Sequence, residues 1–145
     1  MRAKEFFQQV ERAEAGLRIL RTRLQHYEDI GLAMPSGGSA TGGHPTGSSR
    51  VEASAIGMAD TLERIQEKLK EYGTLIEKAE RVIDKIPQEK YQDLLKYRYL
   101  AGITNLAEIG EKLGYKDPNS IYRAHGWALA EADKILKEEP EDAES

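Results

Sequence analysis

Apolar or small residues recur at Phe6, Val10, Ala13, Leu17, Leu20, Leu24 and Tyr27, with gaps that alternate four and three. This is the heptad seam of a helix that buries one stripe against another helix. Arg and Glu fill much of the other faces, and Gly31 offers a C-terminal stop. A second seam follows at Val51, Ala55, Met58, Leu62, Ile65, Leu69, Tyr72, Ile76, Ala79, Ile83 and Ile86, with the same alternation from end to end. A helix over 51–86 extends about 54 Å at a rise of 1.5 Å per residue. Pro87 ends it, because the residue before a proline is disfavoured in the α region. The first seam runs only over positions 6–27, so the first helix folded back as a hairpin cannot cover the whole of the second. The surplus apolar stripe predicts a homodimer through the heptad helices.

Between the seams, residues 35–50 hold five Gly, two Pro and four Ser. Such a segment buries little and has high backbone entropy, which predicts a flexible loop over 31–50. After Pro87 the phase resets. Tyr91, Leu94, Leu95, Arg98, Tyr99 and Leu100 suggest about three helical turns, ended by Ala101-Gly102. Asn105 or Thr104 can cap the next helix, and Asn105 with Glu108 three residues on resembles a capping box; the helix buries Leu106, Ile109 and Leu113 and closes at Gly114. Asp117 and Pro118 then read as N-cap and first residue of a last helix. Its apolar face is Ile121, Ala124, Ala128, Leu129, Ala132, Ile135 and Leu136. Two helices joined by a short Gly-containing turn are the helix-turn-helix pattern, whose second helix can enter the major groove of DNA.

The expected organisation is all-α: a long heptad helical hairpin or coiled coil followed by a C-terminal helix-turn-helix domain. Its segments are a heptad helix (1–30), a Gly/Ser/Pro loop (31–50), a long heptad helix (51–87), the helix-turn-helix domain (88–137) and an acidic tail (138–145).

Charge modifies this picture. The net charge is −4, which is not that of a typical nucleic-acid binder. Five acids lie in the last eight residues, however, and removing them from the total leaves +1. Over 104–129, Lys112, Lys116 and Arg123 balance Glu108, Glu111 and Asp117. Phosphate neutralisation by this window alone is weak, so DNA binding calls for a dimer or a larger partner. With no cysteine, disulfides and thiolate metal sites are excluded. His26 and His44 lack companions at ligand spacing, so no metal and no cofactor is expected. There is no P-loop, no GxSxG elbow and no Cys nucleophile, and the expectation is a protein that is not an enzyme. No apolar run approaches a membrane span, and the opening MRAKEFFQQVERAE has acids where a signal peptide needs an apolar core. A cytoplasmic protein without membrane contact is expected.

The C-terminal third resembles region 4 of bacterial sigma factors through Glu108-Ile109-Gly110, Leu113-Gly114, Ile121, Ala124 and Ala128-Leu129. It departs in its turn, Tyr115 to Ser120, which is one residue longer than that family's usual spacing. The wider chain is similar to small proteins encoded by phages and prophages of Gram-positive bacteria. The similarity lies in AKEFFQQV near the start, the loop ending Gly47-Ser48-Ser49, LLKYRYLAGIT (94–104) and IYRAHGWAL (121–129). The resemblance implies a transcription regulator, often of late genes, that acts on double-stranded DNA in a bacterial host, with host RNA polymerase as a further partner.

Carried over residue by residue, the sigma pattern implies that Asn119, Ser120, Tyr122 and Arg123 face base edges and nearby phosphates. Arg suits guanine, Asn suits adenine, and Ser or Tyr suits phosphate. Lys112, Lys116 and Arg98 are candidate phosphate contacts. His125 either lies beside the DNA backbone or packs against the neighbouring helix. Trp127 is expected to pack on the 91–100 helix or on a partner. Two rival readings remain: a small terminase subunit for DNA packaging, which would form rings, and a coiled-coil protein-interaction module.

Overall fold

Strong helix formers fill both heptad stretches, and the computed structural model, which describes residues 2–32 and 46–139, is mostly helical with no strand among those residues. Five helices succeed one another: α1 (Ala3–Leu32), α2 (Thr46–Asp84), α3 (Glu89–Leu95), α4 (Leu106–Leu113) and α5 (Ser120–Glu138). A π-helical turn, Lys96–Leu100, continues α3. Residues 46–50 are helical where a loop is expected. The rest of that loop, 33–45, and the tail from residue 140 lie outside the described residues. None of the described helices is long and apolar enough to cross a membrane.

The chain forms two compact units whose boundaries differ from the segments read from sequence. The terminal unit joins Met1–Arg12 to Tyr72–Ser145, and the central unit is Ala13–Glu71. In the terminal unit Phe6, Phe7 and Val10 of α1 share one core with Val82, Ile83 and Ile86 of α2, Leu94 and Leu95 of α3, Ile109 of α4 and the Ile121 side of α5. The segment read as the helix-turn-helix domain, 88–137, shares its core with residues of the start of α1 and the end of α2.

Polar contacts reinforce that union. The backbone N–H of Ala3, one of the orphan donors at the start of α1, donates to Asp133 Oδ1 on α5. The break at Pro87 leaves carbonyls at and just past the end of α2 without helical partners, and the Gln92 amide donates to Ile86 O at 2.6 Å. Lys96 pairs with Asp84 and Lys85 with Glu139, each at 3.2 Å. No buried side-chain nitrogen or oxygen among the described residues lacks a partner.

In the central unit, α1 presents Ala13, Leu17 and Leu20 as read from the heptad. Helix α2 differs. Its buried residues there are Ser54 and Thr61, whereas Val51, Leu62 and Leu69 of the expected seam are 47, 47 and 44% exposed. The side of α2 turned inward is rotated off the most apolar stripe. Ser54 Oγ donates to Tyr27 O at 2.7 Å, and Tyr27 lies so close over Gly57 that a Cβ there would overlap its ring.

Candidate nucleic-acid interface

Helix α4 starts where Asn105 Oδ1 accepts the N–H groups of Ala107 (2.9 Å) and Glu108 (3.3 Å). It stops at Gly114, whose φ of 84° only glycine adopts without strain. The stop is a Schellman arrangement, with Tyr115 N donating to Gly110 O and Gly114 N to Glu111 O. The chain turns through Tyr115–Asn119 into α5. Asp117 Oδ1 accepts from Asn119 N at 2.9 Å, so Asp117 serves the first turn as a cap although α5 proper begins at Ser120. Helices α4 and α5 approach closely because Gly110 has no side chain: a Cβ there would sit 3.2 Å from Ile121 Cβ. Ile121, Ala124, Ala128 and Ala132 are buried, which fixes the rotation of α5 about its axis.

That rotation leaves Asn119, Tyr122, Arg123, Gly126 and Trp127 exposed along one stripe, with Ser120 half-buried beside it. Tyr122 is 55% and Trp127 57% exposed. Lys116 is exposed in the turn and Lys112 in the last turn of α4. Neither these lysines nor Arg123 makes an ion pair with a described carboxylate.

Arg98 and His125 are placed otherwise. The π turn has Ala101 N donating to Lys96 O at 2.8 Å, and Tyr99 is its buried residue. Arg98 pairs with Glu11 of α1, and its guanidinium lies 4.7 Å from the Tyr99 ring centroid. Tyr99 stacks on Phe7, centroids 4.5 Å apart and planes within 15°. Its hydroxyl is hydrogen-bonded to His125 Nε2 at 2.9 Å. Burial pushes the Tyr99 pKa up to about 12, a rise that Arg98 opposes and Glu11 assists. Burial, and secondly Arg98, lowers the His125 pKa below its usual 6.5, against an opposing effect of Glu11. Arg98 and His125 are thus occupied inside the terminal unit, and of the two sequence readings of His125 the packed one describes its position.

Beside the exposed stripe lies a cleft that no sequence pattern marked, lined by Lys90 and Tyr91 of α3, Tyr115 of the turn, and Ser120, Arg123 and Trp127 of α5. Lys90 Nζ stands 5.0 Å from the Tyr115 ring centroid. Trp127 lines this cleft together with Lys90 and Tyr91 of α3 but remains 57% exposed. Nothing in the spacing of Lys90, some thirty positions before α5, could have revealed its proximity. Among the described residues no cluster of His, Asp and Glu could hold a metal ion. No protein-family model, no curated protein and no solved structure matches this chain.

Proposed function

We propose that this chain is a DNA-binding transcription regulator in which α4, the following turn and α5 act as a helix-turn-helix. Asn119, Ser120, Tyr122 and Arg123 read the major groove, and Lys112 and Lys116 meet phosphates. The observation that carries the reading is the exposed N-terminal side of α5. It projects an amide, a phenol and an unpaired guanidinium from a helix locked on its other side by Ile121 and Ala124. Assignment to phage late-gene control, and to RNA polymerase as a partner, rests on the sequence resemblance alone. Arg98 and His125 are left out of the interface because Glu11 and Tyr99 occupy them.

A second copy is the proposed partner of the central unit. Beside the inward side of α2, Ala55, Ala59, Leu62, Gln66 and Leu69 form another seam of four-three spacing, exposed and free of charge. Dimerisation gives two DNA contacts per particle, which compensates for the neutral window of each one.

Fluorescence anisotropy on promoter DNA from a lysogenic host tests the reading. The parent binds, and the Tyr122→Ala, Arg123→Ala double variant, both sites being exposed, loses binding while keeping its helicity. A parent without affinity for duplex DNA at low salt sinks the proposal. That outcome would favour the protein-interaction reading, for which the exposed Tyr122 and Trp127 flanking Arg123 have the composition of an interface anchor. A large ring in solution would favour DNA packaging.

A further inference from the structure

The cleft between the start of α3 and the first turns of α5 is not explained by a helix that reads bases alone. Its lining of Lys90, Tyr91, Tyr115, Ser120, Arg123 and Trp127 has two cations and no carboxylate, in a chain whose net charge is −4. Neither cation is neutralised: Lys90 and Arg123 form no ion pair with a described acid, while Lys85, Lys96, Arg98 and Lys134 of the same unit all do. The Lys90 ammonium lies over the Tyr115 ring in a cation–π contact. Tyr115 and Ser120 line the same cleft and add hydroxyl donors to its two cations, and this combination of donor groups recurs at phosphate contacts.

We infer that this cleft seats one phosphodiester strand of the duplex, with Lys90 as its principal cation and Trp127 against the sugar–phosphate edge. The inference rests on the DNA-binding reading above and extends it to residues outside the helix-turn-helix. A helix in the major groove is flanked by the two backbones that form the groove walls. Ser120 and Arg123 belong both to the exposed stripe of α5 and to the cleft, so bases met by the stripe carry their backbone towards Lys90. An acidic peptide would satisfy the same cations but gives no reason for the cleft to continue into the base-facing stripe.

Trp127 is the only tryptophan in the chain and therefore reports occupancy of the cleft directly. The full-length protein is titrated with a labelled mixed-sequence duplex of about two helical turns between about 50 and 200 mM salt. Anisotropy and tryptophan emission are read together. Binding is expected to change Trp127 emission. Lys90→Ala is expected to weaken binding roughly threefold to tenfold on every sequence and to flatten the log–log salt dependence by about 0.9. Lys137→Ala, an exposed cation at the far end of α5, should behave as the parent. Duplex binding with unchanged Trp127 emission, or with parental affinity and slope in Lys90→Ala, overturns the cleft while leaving the α5 reading intact. A Trp127 response to a glutamate-rich peptide but not to duplex overturns it in favour of a protein partner. If the parent binds no duplex at all, the reading it rests on falls first and takes the cleft with it.

Discussion

Replacing Phe7 by alanine should destabilise the unit that carries α5, although the two lie more than a hundred positions apart in the chain. Phe7 is fully buried, stacked on Tyr99 and tilted against Phe6 with centroids 5.2 Å apart. Truncating a buried phenylalanine removes its transfer free energy and leaves a cavity, together about 3–5 kcal/mol. Of that, the stacked pair with Tyr99 accounts for roughly 0.5–1.5 kcal/mol. A domain stable by about 5–15 kcal/mol would lose about a fifth or more of its margin. Urea unfolding followed by far-UV circular dichroism measures the loss, with Trp127 emission reporting on the terminal unit. A double-mutant cycle of Phe7→Ala with Tyr99→Ala isolates the ring pair, and the coupling should be about 1 kcal/mol. Ile19→Ala serves as the control: that side chain is 62% exposed in the central unit, and its loss should change stability by no more than about 0.5 kcal/mol. A cost below about 1 kcal/mol for Phe7→Ala, or a parental transition at Trp127 in protein lacking residues 1–12, would show that α1 does not support this core.

Two further outcomes are expected. The folded state binds a proton at His125 less readily than the unfolded chain does, so its contribution to stability is full above about pH 6.5 and is lost as pH falls below that value. Urea midpoints measured from about pH 7 down to about pH 5 should decline more steeply for the parent than for His125→Gln; equal slopes would show that the burial of His125 has no such effect. Leu62→Glu combined with Leu69→Glu places charge on the uncharged seam of α2, and sedimentation equilibrium should show the parent dimer reduced to monomer with helicity retained. A parent that is monomeric throughout would remove the second copy from the account.

Regular repeats were legible in the sequence because a periodic pattern needs only local geometry to be read. The four-three spacing in α1, the break at Pro87, the Asn105 cap, the Gly114 stop and the buried positions of α5 each depend on residues within a turn or two of one another. The same holds for the part of the site lying on one helix: once Ile121 and Ala124 face inward, Tyr122 and Arg123 must face out. The α2 seam was misread in the central unit for a related reason. Its apolar residues span a width that can be turned towards α1 in more than one rotation, and Ser54 and Thr61 take the inward side there through contacts such as Ser54 with Tyr27.

Composition and periodicity by themselves determined an all-helical chain and the side of α5 that is solvent-facing, since helix propensity and hydrophobic phase act along the chain. Tertiary structure alone decided that residues 1–12 complete the C-terminal core, that Arg98 goes to Glu11 and His125 to Tyr99, and that Lys90 stands beside Tyr115 and Trp127. Those pairings join residues far apart in sequence. They arise because burying Phe6, Phe7 and Val10 against the end of α2 brings the start of α1 to α3 and α5, and no local pattern records which distant surface an apolar stripe will choose.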